Sequence, residues 1–395
     1  MKYDFDTLVE RRGTYSLKWD VGENELPMWV ADMDFKTAPE IIAAVEQRAK
    51  HGVFGYSVLP EEWRQAVIGW WETRHHFLLR REWLLFCSGV IPAISSAVRK
   101  FTAPGDHVLV QPPVYNVFFN CIANNGREIL ENRLIYDGEN YQMDFEDLER
   151  KLAEPRTTMM ILCNPHNPVG KLWDKQTLEK VGELCWKHHV LVISDEIHCD
   201  MTAPGQEYIP FASAGEKCRD NSITCAAPTK TFNFAGLQSA VVIVPEKVLR
   251  EKMECALDAD EIGSPNVFAP LAAIAAYTEG APWLDALREY VFENKRLARQ
   301  FLEREIPQIK ALVSPASYLL WLDCAGASSN STQLQSYLRR ETGLYLTDGK
   351  QYRADGSFLR MNIACPREIL SDGLERLRRG IVKLQANPQK QEYEL

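Results

Sequence analysis

The sequence predicts an α/β protein: a large domain with a mostly parallel sheet flanked by helices, followed by a smaller α+β domain at the C-terminal end. The chain has 395 residues, which is more than one compact core usually holds. Short apolar runs alternate with longer helix-like stretches, as they do in successive β-α-β units. After about residue 281 this rhythm gives way to a long helix, short strands and a terminal helix.

The first elements are two helices. Thr37 to His51 reads as a helix with Thr37 as its N-cap, Pro39 in the first turn and Gly52 just past the end. A second amphipathic stretch follows Pro60. These two helices precede the alternating part of the chain.

Five short apolar runs predict the strands of the large domain. They are separated by helix-like stretches such as Lys175 to His188. Polar and turn-forming residues follow every run: WLLFC precedes SGVIP, HVLV precedes QPPVY, MMILC precedes NPHNPVG, VLVIS precedes DEIH, and ITCAA precedes APTK. Ligands of open α/β sheets bind at the carboxyl ends of the strands, so we expect these five segments to meet around one site.

The remaining elements form the smaller domain. They are a helix at Trp283 to Arg304, a strand around Tyr318 to Asp323, a helix near Leu334 to Arg340, the strand FLRMNI and a terminal helix.

Three parts of the chain are therefore expected. Residues 46–280 form the large domain, residues 281–395 form the small one, and the N-terminal residues 1–45 pack with the small domain. The last residues, NPQKQEYEL, resemble a loose tail.

Composition excludes several classes of protein. Apolar residues make up 46% and charged residues 25%, which excludes a largely disordered chain. The net charge of -9, without a basic cluster, argues against binding to nucleic acid. The charged start MKYDFDTLVERRG has no apolar signal segment, and no apolar run approaches membrane-spanning length. We therefore expect a cytoplasmic protein that binds neither nucleic acid nor membrane.

The cysteines and histidines do not predict a metal. The ten cysteines are scattered without a C-x-x-C pair, and several lie in apolar runs, which is typical of reduced core residues in the cytoplasm. The eight histidines show neither H-E-x-x-H nor zinc-ligand spacing. We expect neither a structural nor a catalytic metal.

Lys230 is the residue that most needs an explanation. It is the one formal charge between Asn221 and Pro245, and both flanks of that stretch resemble buried strands. A desolvated lysine has a lowered pKa, and its neutral amine attacks carbonyl carbons. A loop lysine that reaches solvent is the alternative.

Together the motifs resemble the fold-type I pyridoxal phosphate enzymes, the aminotransferase class I/II superfamily, and within it the cystathionine β-lyase subfamily of C–S lyases. The resemblance covers nearly the whole chain, through DFDTLVERRGTYSLKWD, ADMDF, HGVFGYS, NPHNPVGK, SDEIH, PTKTFN, GAPWLDALREY and FLRMNIACP. It implies the pyridoxal phosphate-dependent transferase fold and pyridoxal 5'-phosphate as the cofactor.

The resemblance also implies roles for the residues at the strand ends. Lys230 would hold the cofactor aldehyde and later remove the substrate Cα proton. Asp195 would pair with the protonated pyridine nitrogen, and Asn167 would donate to the cofactor's 3-hydroxyl oxygen. Tyr115 would lie on the pyridine ring, and His198 would be a further cofactor contact. Taken singly, the Asp fits a helix cap, the Asn a proline turn and the Tyr a packing residue.

The cofactor phosphate and the substrate carboxylate need their own donors. For the phosphate, the start of a helix after WLLFC offers backbone N–H groups, and threonines near Lys230 offer hydroxyls: Gly89, Val90, Ile91, Thr229 and Thr231. By resemblance, Tyr56 reaches the phosphate from a neighbouring subunit, which implies a homodimer. Arg360 would hold the substrate carboxylate, with Asn167 and Tyr115 beside it.

Two departures from the common aminotransferase pattern favour the lyase subfamily. His198 stands where many aminotransferases have tyrosine, and Gln238 stands where they have arginine. The leading hypothesis is therefore a lyase that converts cystathionine or other S-substituted cysteines into a thiol, pyruvate and ammonia by α,β-elimination. The alternatives are an aminotransferase, of aromatic or broad specificity, and a regulatory protein that keeps the fold.

Overall fold

The computed structural model describes residues 3–386, so the predicted tail NPQKQEYEL lies outside the described residues. Within this range the strands are β1 Leu26–Pro27, β2 Leu84–Cys87, β3 His107–Val110, β4 Glu128–Glu131, β5 Ile135–Tyr136, β6 Tyr141–Gln142, β7 Thr157–Cys163, β8 Leu191–Asp195, β9 Ser222–Ala226, β10 Ala240–Ile243, β11 Lys310–Ala311, β12 Leu319–Asp323, β13 Leu344–Tyr345, β14 Thr347–Asp348 and β15 Phe358–Asn362.

The α-helices alternate with these strands along the chain. They are α1 Pro39–His51, α2 Glu61–His75, α3 Val90–Phe101, α4 Val117–Ala123, α5 Phe145–Leu152, α6 Lys175–Lys187, α7 Glu216–Asp220, α8 Pro228–Thr231, α9 Lys247–Ala259, α10 Ala269–Glu279, α11 Ala281–Glu305, α12 Ser331–Thr342 and α13 Arg367–Ala386.

A seven-stranded sheet forms the centre of the molecule. Its strand order is β2-β10-β9-β8-β7-β3-β4, and β10 runs antiparallel to both of its neighbours while the other pairs are parallel. The five apolar runs form β2, β3, β7, β8 and β9, which confirms the predicted mostly parallel sheet.

Helices cover both faces of this sheet because successive strand residues point to opposite sides. In β8, Ile193 packs into a core with α3 and α9, whereas Val192 packs into a separate core with α5 and α6. With both faces buried, the parallel strands are continuous apolar runs, which explains their sequence pattern.

The first helix differs from the prediction at its start. It begins at Pro39, and the N-cap is Ala38 rather than Thr37, without a capping side-chain hydrogen bond. Proline in the first turn has no N–H group, so one donor fewer needs a cap. The predicted end is confirmed, since Gly52 takes the left-handed conformation with a φ of 79°.

The C-terminal part contains a second, four-stranded antiparallel sheet in the order β11-β12-β15-β14. The N-terminal segment joins this part, because β1 pairs with β13 through Leu26 and Leu344. The predicted helices and strands of this part are present, with α12 starting earlier because Asn330 caps it. The domain limits at 45/46 and 280/281 stay a prediction. Among residues 3–386, no helix combines the length and apolarity that a membrane span requires.

Candidate active site

Lys230 lies on α8, a four-residue helix that starts directly after β9 with proline in its first turn. Its Nζ donates a hydrogen bond to the carbonyl oxygen of Ala31 at 2.6 Å. Burial lowers the pKa of Lys230 to about 8, while the charge of Asp32 acts in the opposite direction. With that pKa, roughly a tenth of the amine is neutral and nucleophilic at pH 7. Lys230 is only partly exposed and its amine is bonded to a backbone carbonyl, so the alternative of a loop lysine that reaches solvent is wrong.

Asp195 ends β8, in the middle of the large sheet, where it pairs with Cys163 of β7 and Cys225 of β9. Its side chain is 3% exposed and accepts the backbone N–H of Ile197 at 3.1 Å. Turns follow it rather than a helix, so it is not a helix cap. Burial raises the pKa of Asp195 to about 7, against the effects of that N–H group and of the Lys230 charge. Such a carboxylate is stabilised by a cationic partner.

Arg360 brings the second sheet to the same place. It lies on β15, is 5% exposed, and its Nη1 donates to Oδ1 of Asn167 at 3.3 Å while Nη2 donates to the carbonyl oxygen of Trp29 at 2.9 Å. Its buried Nε has no partner among the described residues. Both acceptors are uncharged oxygens, so the guanidinium keeps donors for an anion.

Two aromatic residues complete the predicted set of side chains. Burial lowers the pKa of His198 to about 3, so its ring is neutral, and its Nδ1 has no hydrogen-bond partner within residues 3–386. Burial raises the pKa of Tyr115 to about 12, with Arg360 opposing and Asp195 reinforcing the rise. These charge effects indicate that Tyr115, Asp195 and Arg360 share one neighbourhood.

The start of α3 offers backbone donors. Gly89 is its N-cap and no side chain caps the helix, so the N–H groups of Val90 and Ile91 lack partners within the helix. A Cβ on Gly89 would lie 3.1 Å from Cδ of Pro92, which is tighter than an ordinary contact. These free donors suit an anion such as a phosphate.

The two threonines near Lys230 differ in what they bind. Thr229 is 8% exposed, and its hydroxyl makes no hydrogen bond to another of the residues 3–386. Thr231 is different, because its Oγ1 donates to Oδ2 of Asp200 at 2.8 Å. The expectation that the Thr231 hydroxyl faces a phosphate is therefore wrong: a buried carboxylate takes that donor.

Tyr56 is not brought to the site within one chain. It lies between α1 and α2, fully exposed, in a run that also exposes Val53, Phe54 and Val58. Tyr56 and Gln238 line the same open pocket of about 610 Å³.

The structure adds an element that the sequence did not assign, the irregular segment from Trp29 to Asp32. The carbonyl oxygen of Ala31 accepts hydrogen bonds from Lys230 and from the hydroxyl of Tyr318, the latter at 3.0 Å. Asn362 donates to the carbonyl oxygens of Val30 and Asp32. A hydrogen bond to a backbone carbonyl leaves no pattern in the sequence, so the contact between Lys230 and Ala31 could not be predicted from residue types. The motif ADMDF, which begins at Ala31, was the only available indication.

Ion pairs hold this segment in place. Asp34 is 3% exposed and pairs with Lys18 at 2.6 Å and with Arg11 at 2.7 Å. Arg11 also pairs with Asp32 at 2.5 Å, and Nε1 of Trp19 donates to Asp34 at 2.8 Å. The buried pair of Lys18 and Asp34 needs such additional hydrogen bonds to balance the desolvation of its charges.

The arrangement fits pyridoxal 5'-phosphate and an amino-acid carboxylate. The amine of Lys230 suits an aldehyde, the buried carboxylate of Asp195 suits a protonated ring nitrogen, and the start of α3 suits a phosphate. Arg360 suits a carboxylate. Each of these protein groups has a free donor, a free acceptor or an uncompensated charge that matches its part of the cofactor or substrate.

Comparisons with known proteins agree with this fit. The family model for aminotransferase class I and II matches residues 22–377. The chain is 44% identical to cystathionine beta-lyase PatB of Bacillus subtilis over 382 residues, which cover 95% of this chain and 99% of that protein. It is 34% identical to protein MalY of Escherichia coli, over 94% of this chain and 97% of that protein.

Solved structures give the same result. Cystalysin from Treponema denticola, whose structure contains pyridoxal 5'-phosphate, matches with a TM-score of 0.94 and 33% identity, covering 97% of this chain and 100% of that chain. The pyridoxal phosphate-bound C–S lyase from Staphylococcus hominis matches with a TM-score of 0.91 and 29% identity, covering 96% and 98%. The chain therefore belongs to the aminotransferase class I and II family and has its pyridoxal phosphate-dependent transferase fold.

Proposed function

We propose that this protein is a pyridoxal phosphate-dependent C–S β-lyase. It cleaves L-cystathionine or other cysteine S-conjugates by α,β-elimination and gives a thiol, pyruvate and ammonia. The observation that carries the proposal is the 44% identity to a cystathionine beta-lyase over nearly the full length of both chains. The partly buried amine of Lys230, whose charge acts on the buried carboxylate of Asp195, supplies the chemistry that this activity needs.

Lys230 is the proposed catalytic residue. When bound, pyridoxal 5'-phosphate supplies an electron sink for the substrate Cα. The free amine of Lys230 takes the Cα proton, the electrons of the Cα–H bond form a double bond to Cβ, and the Cβ–S bond breaks as the thiolate leaves. Water then converts the released enamine into pyruvate and ammonia. A pKa of about 8 suits this proton acceptor near neutral pH.

Asp195, Asn167, Tyr115 and His198 are proposed to hold the cofactor ring. Asp195 is suited to the pyridine nitrogen because a negative charge there keeps that nitrogen protonated. The amide of Asn167 supplies a donor for the 3-hydroxyl oxygen, and Tyr115 supplies an aromatic face. The neutral ring of His198 is left with one free nitrogen.

The phosphate and the substrate carboxylate have separate proposed sites. Gly89, Val90, Ile91 and Thr229 offer donors to the phosphate at the start of α3 and α8. Arg360 binds the substrate carboxylate with its planar, two-pronged group, beside Asn167 and Tyr115. Its 3.3 Å hydrogen bond to Asn167 is long, so exchange for a charged acceptor is favourable.

We also propose a homodimer in which Tyr56 reaches the phosphate of the neighbouring subunit. The exposed run of Val53, Phe54, Tyr56 and Val58 supports this, because a contiguous apolar surface favours a protein contact. A cytoplasmic location is supported by the cysteines, all ten of which are free and nine of which are buried.

Turnover without an oxo acid tests the function. Cystathionine and the purified protein with pyridoxal 5'-phosphate should give pyruvate, ammonia and homocysteine over many turnovers, and Lys230→Ala should give none. An aminotransferase would stop after one half-reaction and continue only when 2-oxoglutarate or another acceptor is added. A regulatory protein would bind the cofactor and release neither product. Either of these two results would replace the lyase proposal.

A further inference from the structure

Asp200 forms a buried hydrogen-bonded centre outside the residues assigned above. It lies five residues after Asp195 and is 5% exposed. Its Oδ1 accepts from Nε2 of His75 and from Nε1 of Trp70, both at 2.9 Å, and its Oδ2 accepts from the hydroxyl of Thr231 at 2.8 Å. Burial acts to raise the pKa of Asp200, yet these donors hold it below its ordinary value. The carboxylate is therefore ionised and fully bonded.

The helix that Asp200 contacts cannot fix its own orientation. α8 has four residues, and its closing hydrogen bond runs from the N–H of Phe232 to the carbonyl oxygen of Pro228 at 2.9 Å. One turn of helix is unstable by itself, so tertiary contacts must set its direction. Lys230 is on this turn, directly before Thr231.

Two of the contacts at the C-terminal end of α8 are made by Thr231 and Phe232. The first is the hydrogen bond from Thr231 to Asp200. The second is the Phe232 ring, which stacks on Trp283 at 5.8 Å and meets Trp70 edge to face at 5.8 Å. Trp70 takes part in both, because its indole N–H also donates to Asp200.

The same hydrogen bond joins the two halves of the site. Asp195 ends β8, and His198 and Asp200 follow it on the same stretch of chain, whereas Lys230 lies on the separate turn after β9. The contact between Thr231 and Asp200 therefore limits how far the Lys230 amine can move relative to the Asp195 carboxylate. Misplacing a reacting group by about 1 Å can cost about 100-fold in rate.

A metal site is the competing interpretation of this cluster. His75, Cys199 and Asp200 each offer a ligand atom, and these atoms lie within 4.8 Å of one another. Three donors already occupy Asp200, and burial raises the pKa of the Cys199 thiol well above its ordinary value. A metal held by these three residues would need the Cys199 thiolate and a free oxygen of Asp200, so the observed hydrogen bonds favour a structural role for the cluster.

We propose that Asp200, acting through Thr231, is a positioning residue that holds Lys230 in place for proton transfer. This inference rests on the proposed role of Lys230. It assigns no contact between Asp200 and the cofactor or substrate.

Four variants separate positioning from general stability. Thr231→Val removes the hydroxyl and nearly keeps the shape, Asp200→Asn removes the charge, and Thr231→Ser keeps the donor. Thr224→Val is the matched control, because Thr224 is also buried, on the neighbouring β9, and its hydroxyl has no partner among the described residues. Circular dichroism and thermal unfolding show whether each variant is folded.

The first readout uses cofactor-free protein. The rate at which an amine-selective reagent modifies Lys230 is followed against pH by peptide mapping. Thr231→Val and Asp200→Asn should shift this profile towards that of an ordinary lysine, because a less constrained side chain reaches more water. Thr231→Ser and Thr224→Val should keep the wild-type profile. Because this measurement involves no turnover, its result does not depend on which reaction the enzyme catalyses.

The second readout is turnover by the loaded enzyme with cystathionine. Thr231→Val should lower kcat by about 10- to 100-fold and change KM by less than about threefold. Thr231→Ser should recover most of the loss. The proposal is wrong if folded Thr231→Val keeps the wild-type labelling profile and kcat within about twofold, or if Thr224→Val loses as much as Thr231→Val. If Asp200→Asn does not fold, the Thr231 variants decide.

Discussion

At the scale of single residues, two lysines with lowered pKa values, Lys230 and Lys295, compete for the catalytic role. Burial lowers the pKa of Lys230 to about 8 and that of Lys295 to about 7. Nζ of Lys295 donates to the carbonyl oxygens of Ser314 and Ala316 and to the Ser314 hydroxyl, so its three hydrogens are all bonded. Lys230 has one hydrogen bond, to Ala31, and lies at a strand end. Free hydrogen-bonding capacity and position therefore favour Lys230, although the lower pKa belongs to Lys295.

Asp195→Asn tests the proposed partner of the ring nitrogen. The amide has a similar shape but no charge, so it cannot keep that nitrogen protonated. We expect the variant to bind pyridoxal 5'-phosphate through Lys230 and to lose at least about 100-fold in kcat, the cost typical of removing a preorganised electrostatic partner. Absorbance measures the cofactor content of the variant, and turnover of cystathionine measures its kcat.

Glu196→Gln, at the residue next to Asp195, is the control for Asp195→Asn. Glu196 is also buried, its pKa is also raised by burial to about 7, and it is bonded to Ser194, Tyr208 and the N–H of Phe211 rather than directed to the site. This variant should stay within a few-fold of wild type. Turnover of Asp195→Asn at the level of Glu196→Gln would refute the role of Asp195.

At the scale of elements, the loop after β7 is joined closely to the C-terminal sheet region. Gly170 has a φ of 68°, and a Cβ there would lie 2.5 Å from Cβ of Ser314 and 2.7 Å from the carbonyl oxygen of Ala316. The N–H of Ala316 donates to the carbonyl oxygen of Gly170, and the carbonyl oxygen of Ala316 accepts a hydrogen bond from Lys295. These contacts between Gly170 and the segment from Ser314 to Ala316 position the loop that carries Asn167.

Gly170→Ala should destabilise the fold by about 1–3 kcal/mol or more, since it combines a left-handed conformation with a backbone clash. Denaturant unfolding measures the change. Gly105→Ala is the matched control: its φ is 84°, but nothing lies within 4 Å of the added Cβ. The difference between the two variants in the free energy of unfolding measures the clash at Gly170. Equal losses of stability would show that the contact between Gly170 and the segment from Ser314 to Ala316 is not tightly packed.

The sequence predicted the sheet and the strand-end residues because both follow from local patterns. Apolar runs ending in polar turns identified β8 and β9, and hence Asp195 and Lys230. The contacts that position Lys230 are long-range and have no local pattern. Its acceptor is a backbone carbonyl 199 residues away, and the partner of Thr231 lies 31 residues away. A local pattern also misassigned Thr37 as the cap: the N-cap is Ala38, and the proline after it leaves one N–H group fewer to be capped.

At the scale of the whole molecule, the exposed run around Tyr56 lies apart from the packed cores. Val53, Phe54, Tyr56 and Val58 are exposed between α1 and α2, and Phe54 contacts the ring of Phe268 at 5.9 Å. Tyr15 and Leu17 are also exposed. A surface of this kind suits a second copy of the chain, which would bring Tyr56 to the partner's site.

Mixing an inactive variant, Lys230→Ala, with an impaired one, Tyr56→Ala, tests this shared site. Lys230→Ala lacks the amine, and Tyr56→Ala lacks the residue proposed to cross the interface. In a mixed dimer one site has an intact Lys230 from one chain and an intact Tyr56 from the other. Co-refolded equal amounts should recover up to roughly a quarter of the wild-type activity, because half of the dimers are mixed and each has one intact site.

Sedimentation should accompany this mixing experiment. The wild type should sediment at twice the chain mass of 45.1 kDa. A fully active monomer, or a mixture no more active than Tyr56→Ala at the same concentration, would exclude a shared site.

Borohydride reduction of the cofactor-loaded protein shows which amine holds pyridoxal 5'-phosphate. Reduction fixes the cofactor to its lysine, and peptide mapping by mass spectrometry locates it. We expect the label on the peptide containing Lys230, at one per chain, and no specific label in Lys230→Ala. A stoichiometric label on another lysine, with Lys295 as the obvious competitor because burial also lowers its pKa, would contradict the assignment of the active site to the strand ends.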